Sequence, residues 1–148
     1  MDWKSLFFTA EGRIGRQAFW IAWLSLLGVN VVLGWVPFLP LLALFCMVCI
    51  YTKRLHDMGQ TGWLQLIPLL FGPVLLIGSI TLLVMGSAFA SLGDGDPDIV
   101  ALFGVGGVIL SLITGFLVTV GFTLWVGCAA TQPGENRFGP EPVTAVLV

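Results

Sequence analysis

Apolar residues fill this chain in long runs, and the breaks between the runs are short. From Ala18 to Thr52 there is no charged residue. One straight helix over that stretch would be about 52 Å long, against a hydrocarbon core of roughly 30 Å. Pro37 and Pro40 supply the break, because proline lacks the amide donor and crowds the preceding helical turn. The pattern predicts a helical hairpin with spans at residues 18–35 and 38–51. Both arms are close to the spanning minimum, so a re-entrant pair is the alternative. Trp20, Trp23, Trp35 and Tyr51 are expected to anchor them at the membrane interfaces. A third span is predicted at residues 63–85, kinked in its first half by Pro68 and Pro73. A fourth at residues 99–127 is long enough that it must tilt or project beyond the bilayer.

Outside the spans the pattern changes. Trp3, Leu6, Phe7 and Ala10 recur at helical spacing within residues 2–10, which predicts a short helix lying in the headgroup layer. Pro133, Gly134, Gly139, Pro140 and Pro142 predict an extended tail over residues 131–148. The fold class expected is therefore an all-α membrane protein in a single domain. It has four transmembrane helices, a short N-terminal interfacial helix and an extended C-terminal tail.

Composition strengthens that reading. Only 9% of the 148 residues are charged and 57% are apolar, whereas a soluble domain carries roughly 25% charged residues. The first apolar run exceeds a signal-peptide core and no small-residue cleavage site follows it, so it is expected to stay as a span. Net charge is -2 and no basic stripe with interleaved aromatics occurs, so nucleic acid is not an expected partner. Cys46, Cys49 and Cys128 lie in apolar surroundings and are expected to be inert thiols.

Charge placement orients the chain. Lys4, Arg13 and Arg16 precede the first run, Lys53 and Arg54 follow the second, and Arg137 follows the last. The connection at residues 86–98 carries Asp94, Asp96 and Asp98 instead. Short basic loops stay on the cytoplasmic side, so both termini are expected there. The three aspartates resemble the opening of a calcium loop, but Val105 stands where an EF-hand needs glutamate, and no metal site is assigned.

In the fourth span Gly107, Ser111, Gly115, Thr119, Thr123 and Gly127 recur every four residues. Such a ridge lets another helix approach closely, and it drifts about 40° per repeat, so three or four members meet any one partner. Packing against another span of the same chain is favoured over an oligomer interface, and the ridge itself does not distinguish them.

Three polar stretches converge on one face in this topology. Gly12, Arg13, Arg16, Phe19 and Trp20 form a G-R-x-x-R-x-x-[FY]-W entry. Arg54, Leu55, His56, Asp57, Gly59, Thr61, Gly62 and Trp63 form an R-L-H-D-x-G-x-[ST]-G-W turn. Gly134, Asn136, Arg137, Phe138, Gly139 and Pro142 form a late G-x-N-[RKE]-[YF]-G-x-x-P tail. Together they resemble a small bacterial inner-membrane family, domain of unknown function 805 (DUF805). The resemblance covers nearly the whole chain and implies a multi-pass inner-membrane protein without an established activity.

The residues themselves suggest more. Asp57 can pair with Arg54 three residues earlier, or accept a bidentate arginine, Arg13 or Arg16, from across the fold. Asn136 and Gly139 can then dock the tail. Arg13, Arg16, Lys53, Arg54, His56, Asp57, Asn136 and Arg137 are read first as a structural clasp. The alternative is a site for an anionic headgroup or phosphate on Arg13, Arg16, Lys53 and Arg54. A catalytic His56–Asp57 pair would need a positioned substrate, and neither a nucleophile nor a metal set accompanies it. No catalytic residue and no cofactor is assigned. The expected function is that of a non-enzymatic structural or accessory component of a membrane assembly. Its expected partners are the bilayer, including anionic lipid, and a membrane protein or further copies of itself. Anionic-lipid sensing and small-solute transport are the alternatives, although no Asp, Glu, Lys, Arg or His falls inside any predicted span.

Overall fold

A computed structural model describes residues 3–93 and 96–142, apart from the side chains of Trp3 and Pro97. Asp2, Asp94, Gly95 and the end of the predicted tail lie outside the described residues. Helices follow in the order α1 (Trp3–Phe8), α2 (Arg16–Leu33), α3 (Leu39–Asp57), a 3-10 turn at Gly62–Gln65, α4 (Leu66–Leu92) and α5 (Pro97–Cys128). Four of these helical stretches are long and apolar enough to cross a membrane. The described chain forms two compact units, one holding residues up to Gln65 and from Leu124 onward, the other Leu66–Thr123.

In the first unit the proline break falls as the sequence predicts. Pro40 sits in the first turn of α3, where a missing amide donor costs nothing. Phe38 turns the chain with a left-handed φ of 67° and an exposed ring. The end of α3 differs from the expectation. The span was predicted to stop at Tyr51 because Lys53 and Arg54 follow, yet the helix continues to Asp57. Ala43, Cys46, Ile50, Arg54 and Asp57 are all buried and lie three or four residues apart, with buried Lys53 beside Arg54. The inward stripe thus passes from apolar to charged without leaving the protein, because the charges find partners inside. Arg54, His56 and Asp57 therefore belong to the last helical turn and not to a loop.

Aromatic contacts join α2 to α3. The Trp23 indole donates to the Tyr51 hydroxyl at 3.1 Å, and the Phe19 ring meets Tyr51 edge-on at 5.3 Å. Two of the expected interface anchors thus pair with each other, while Trp35 stays exposed. Leu6 of α1 is buried, and the Lys53 ammonium donates to the Ser5 carbonyl, which fastens α1 to α3.

The second unit is an antiparallel pair. α4 begins later and ends later than predicted, running through Pro73 without interruption. Against it lie the small residues of α5. A Cβ on Gly115 would stand 3.0 Å from the Gly72 Cα, and the Ser79 and Ser111 hydroxyls are 3.2 Å apart. Gly104 faces Leu83 and Gly86 faces Val100. At the start of α5, Asp96 accepts from the Asp98 amide at 2.9 Å, an N-terminal cap that gives this aspartate a structural use.

Candidate functional site

The site is built where α3 ends. Gln60 N–H donates to the Leu55 carbonyl and Gly59 N–H to the His56 carbonyl, the paired bonds of a Schellman cap. Gly59 takes the left-handed conformation this cap requires, φ 72°. A Cβ there would collide with the Gln132 amide oxygen, so the tail passes directly over the cap.

Asp57, fully buried, is the centre. Its carboxylate accepts from Arg13 Nε at 3.2 Å, from the Thr131 hydroxyl at 2.8 Å and from Arg54 Nη1. Arg54, also fully buried, donates from Nε to the Val126 carbonyl at 3.0 Å and from Nη2 to the Ala129 carbonyl at 2.5 Å. Arg13 donates to the carbonyls of Gly134 at 2.7 Å, Gly139 at 3.2 Å and Gln132 at 2.5 Å. Removing such charges from water is costly unless every one is paired and hydrogen-bonded. Here one carboxylate and five main-chain carbonyls meet two guanidinium forks.

The tail is held by its own contacts as well. Gln132 N–H donates to the Asp57 carbonyl at 2.9 Å, and the Asn136 amide donates to the His56 carbonyl at 2.9 Å. Asn136 and Gly139 close a tight turn through reciprocal backbone bonds of 3.1 and 3.0 Å. The Phe138 ring in that turn stacks on His56, with centroids 3.7 Å apart and planes 4° from parallel. The imidazole also bonds the Gly12 backbone, while its Nδ1 is buried without a partner.

The predicted site residues thus divide. Arg13, Arg54, His56, Asp57 and Asn136 come together. Lys53 turns to α1 instead. Arg16 stands exposed on the first turn of α2, and Arg137 is exposed with its guanidinium 4.6 Å over the Phe138 ring. Thr131 and Gln132, which sequence reasoning passed over, supply a hydroxyl and a carbonyl. Their one signal is position, as polar residues just after the last apolar run. The small-residue ridge divides too: Gly107, Ser111 and Gly115 lie along α4, whereas Gly127 abuts the Trp20 ring. Thr119 and Thr123 donate to carbonyls of their own helix at 2.9 and 2.8 Å.

The family described as "Protein of unknown function (DUF805)" matches residues 27–140, most of the chain. The chain belongs to this family. The match includes the α3 end and the tail turn of this DUF805 protein. It starts after the entry motif, so Arg13, Arg16, Phe19 and Trp20 fall outside the matched stretch although Arg13 reaches into the clasp. No curated protein matches the chain. No solved structure matches it either.

Proposed function

We propose that this DUF805 protein is a non-enzymatic structural or accessory component of a membrane assembly. It resides in the bacterial inner membrane with both termini in the cytoplasm. One observation carries the reading: the buried charged groups of the site are hydrogen-bonded within the protein. Arg13, Arg54 and Asp57 satisfy one another and the chain around them, so the cluster acts as a fastener. α4, in contrast, buries no side chain and leaves Leu70, Val74, Ile77 and Leu82 exposed, an apolar surface suited to lipid or to a partner helix. The short N-terminal α1 lies in the headgroup layer on this reading, and the tail lies along the cytoplasmic face.

Solubilisation from the native membrane in mild detergent is expected to copurify a membrane protein or further copies of the chain. A monomer that brings down neither would overturn the accessory role. Orientation is tested separately. After Cys128→Ser, a cysteine placed by Arg137→Cys is expected to react with an impermeant maleimide only from the cytoplasmic side. One placed by Ser91→Cys is expected to react only from the outside. Labelling of both from one side would overturn the topology.

A further inference from the structure

We propose that the tail over residues 129–139 covers a phosphate-binding site formed by Arg13 and Arg54, and that an anionic phosphate group displaces it. The inference is independent of any partner chain. It starts from what the guanidinium forks hold. An arginine fork matches the oxygens of a phosphate or carboxylate, yet apart from Asp57, among the described residues Arg13 donates to the neutral tail carbonyls of Gln132, Gly134 and Gly139. Arg54 likewise donates to the Ala129 carbonyl. Three of the Arg13 acceptors and two of Arg54, the Ala129 carbonyl and the Thr131 hydroxyl, leave with the tail. Asp57 and the Val126 carbonyl stay on α3 and α5 and keep both side chains in place.

Charge and access favour exchange. Asp57 neutralises one of the two cations, so the pair retains net positive charge. Exposed Arg16 acts on Arg54 from the start of α2 and adds to it. The tail carries Glu135 and Glu141 against Arg137, and the Glu141 carboxylate accepts from the Gly134 amide at 2.8 Å. Gln132, Pro133, Gly134 and Glu135 are exposed while the Arg13 side chain is 1% exposed, so water lies just across the covering segment. Besides the arginine bonds and the Thr131 hydroxyl on Asp57, the tail is held by the Asn136 bond to the His56 carbonyl, the Gln132 bond to the Asp57 carbonyl and the Phe138 stack. The last three are modest interactions in competition with water. The site lies at the ends of α3 and α5, which places it at headgroup depth if both helices span. A lipid phosphate and a free phosphate share the required chemistry.

The test uses the full chain in phosphatidylcholine nanodiscs, with hydrogen exchange followed on peptides covering residues 129–139. Three additions are compared: phosphatidylglycerol in the bilayer, inorganic phosphate, and chloride at equal ionic strength. Exchange is expected to quicken roughly fivefold or more with phosphatidylglycerol, with phosphate, or with both, as the covered population falls. A response to the lipid alone identifies a headgroup site, and a response to phosphate alone a soluble-anion site. No response to either, or an equal response to chloride, overturns the proposal. Arg13→Gln is expected to abolish the difference. Because that change can unfold the clasp, Asn136→Ala provides a second variant that leaves both arginines intact. It is expected to respond at a several-fold lower phosphatidylglycerol or phosphate content, and an unchanged dose dependence overturns the proposal.

Discussion

Asp57→Ala is expected to destabilise the protein by about 3–5 kcal/mol, the range found when one member of a buried ion pair is removed. The size follows from what remains. Arg54 is fully buried and Arg13 nearly so, and both would lose the only carboxylate they contact among the described residues. Thr131 would lose its acceptor as well. Water can reach the cluster only if the tail lifts, so the variant should show its weakness there first. Thermal unfolding followed by tryptophan fluorescence in detergent measures the loss, and limited proteolysis after Arg137 reports the tail. Asp57→Asn, which keeps an acceptor oxygen but no charge, should fall between alanine and the parent. A melting temperature for Asp57→Ala within about 2 °C of the parent would mean the cluster does not hold the fold.

Gly115→Val is expected to cost about 1–3 kcal/mol through overpacking and to push α4 and α5 apart. The first added carbon already stands 3.0 Å from the Gly72 Cα, and a backbone atom cannot rotate out of the way as a side chain can. Close approach of backbones is what holds membrane helices together where lipid offers no hydrophobic drive. The readout is oxidative cross-linking of a Ser79→Cys, Ser111→Cys pair, whose parent hydroxyls are 3.2 Å apart. The yield of intramolecular disulfide should drop sharply with Gly115→Val. Gly106→Val is the control, since nothing lies within 4 Å of the added carbon, and its effect should stay within about 0.5 kcal/mol. Equal yields in the two variants would refute the packing argument.

The helices were legible because apolar runs and proline breaks are local signals. Pro37 and Pro40 mark the turn between α2 and α3. The end of α3 was not legible, because charge at Lys53 and Arg54 ordinarily marks water. Only a partner distant in sequence, such as Ser5 or Val126, shows that these side chains are buried. Within the site, the Arg54–Asp57 pair followed from its three-residue spacing, and Asn136 was readable as a dock for the tail. The choice of Arg13 over Arg16 was not, since both precede the same helix. Gly12, with φ 89°, and Gly15, the N-cap of α2, leave Arg13 ahead of the helix, while Arg16 begins it. The main-chain carbonyls that finish the site carry no side-chain signature. Thr131 and Gln132 therefore passed unnoticed.

Arg13 bonds to Gly139, which lies 126 positions further along the chain. During biosynthesis the nascent polypeptide must thus carry Arg13 and Arg54 without their tail carbonyl acceptors until residues 129–139 have left the ribosome. Contacts of such sequence separation close slowly. Over that interval Asp57 is the carboxylate at hand for both arginines. Fusing a bulky reporter just after Gly139 should prolong that interval and lower the yield of assembled protein.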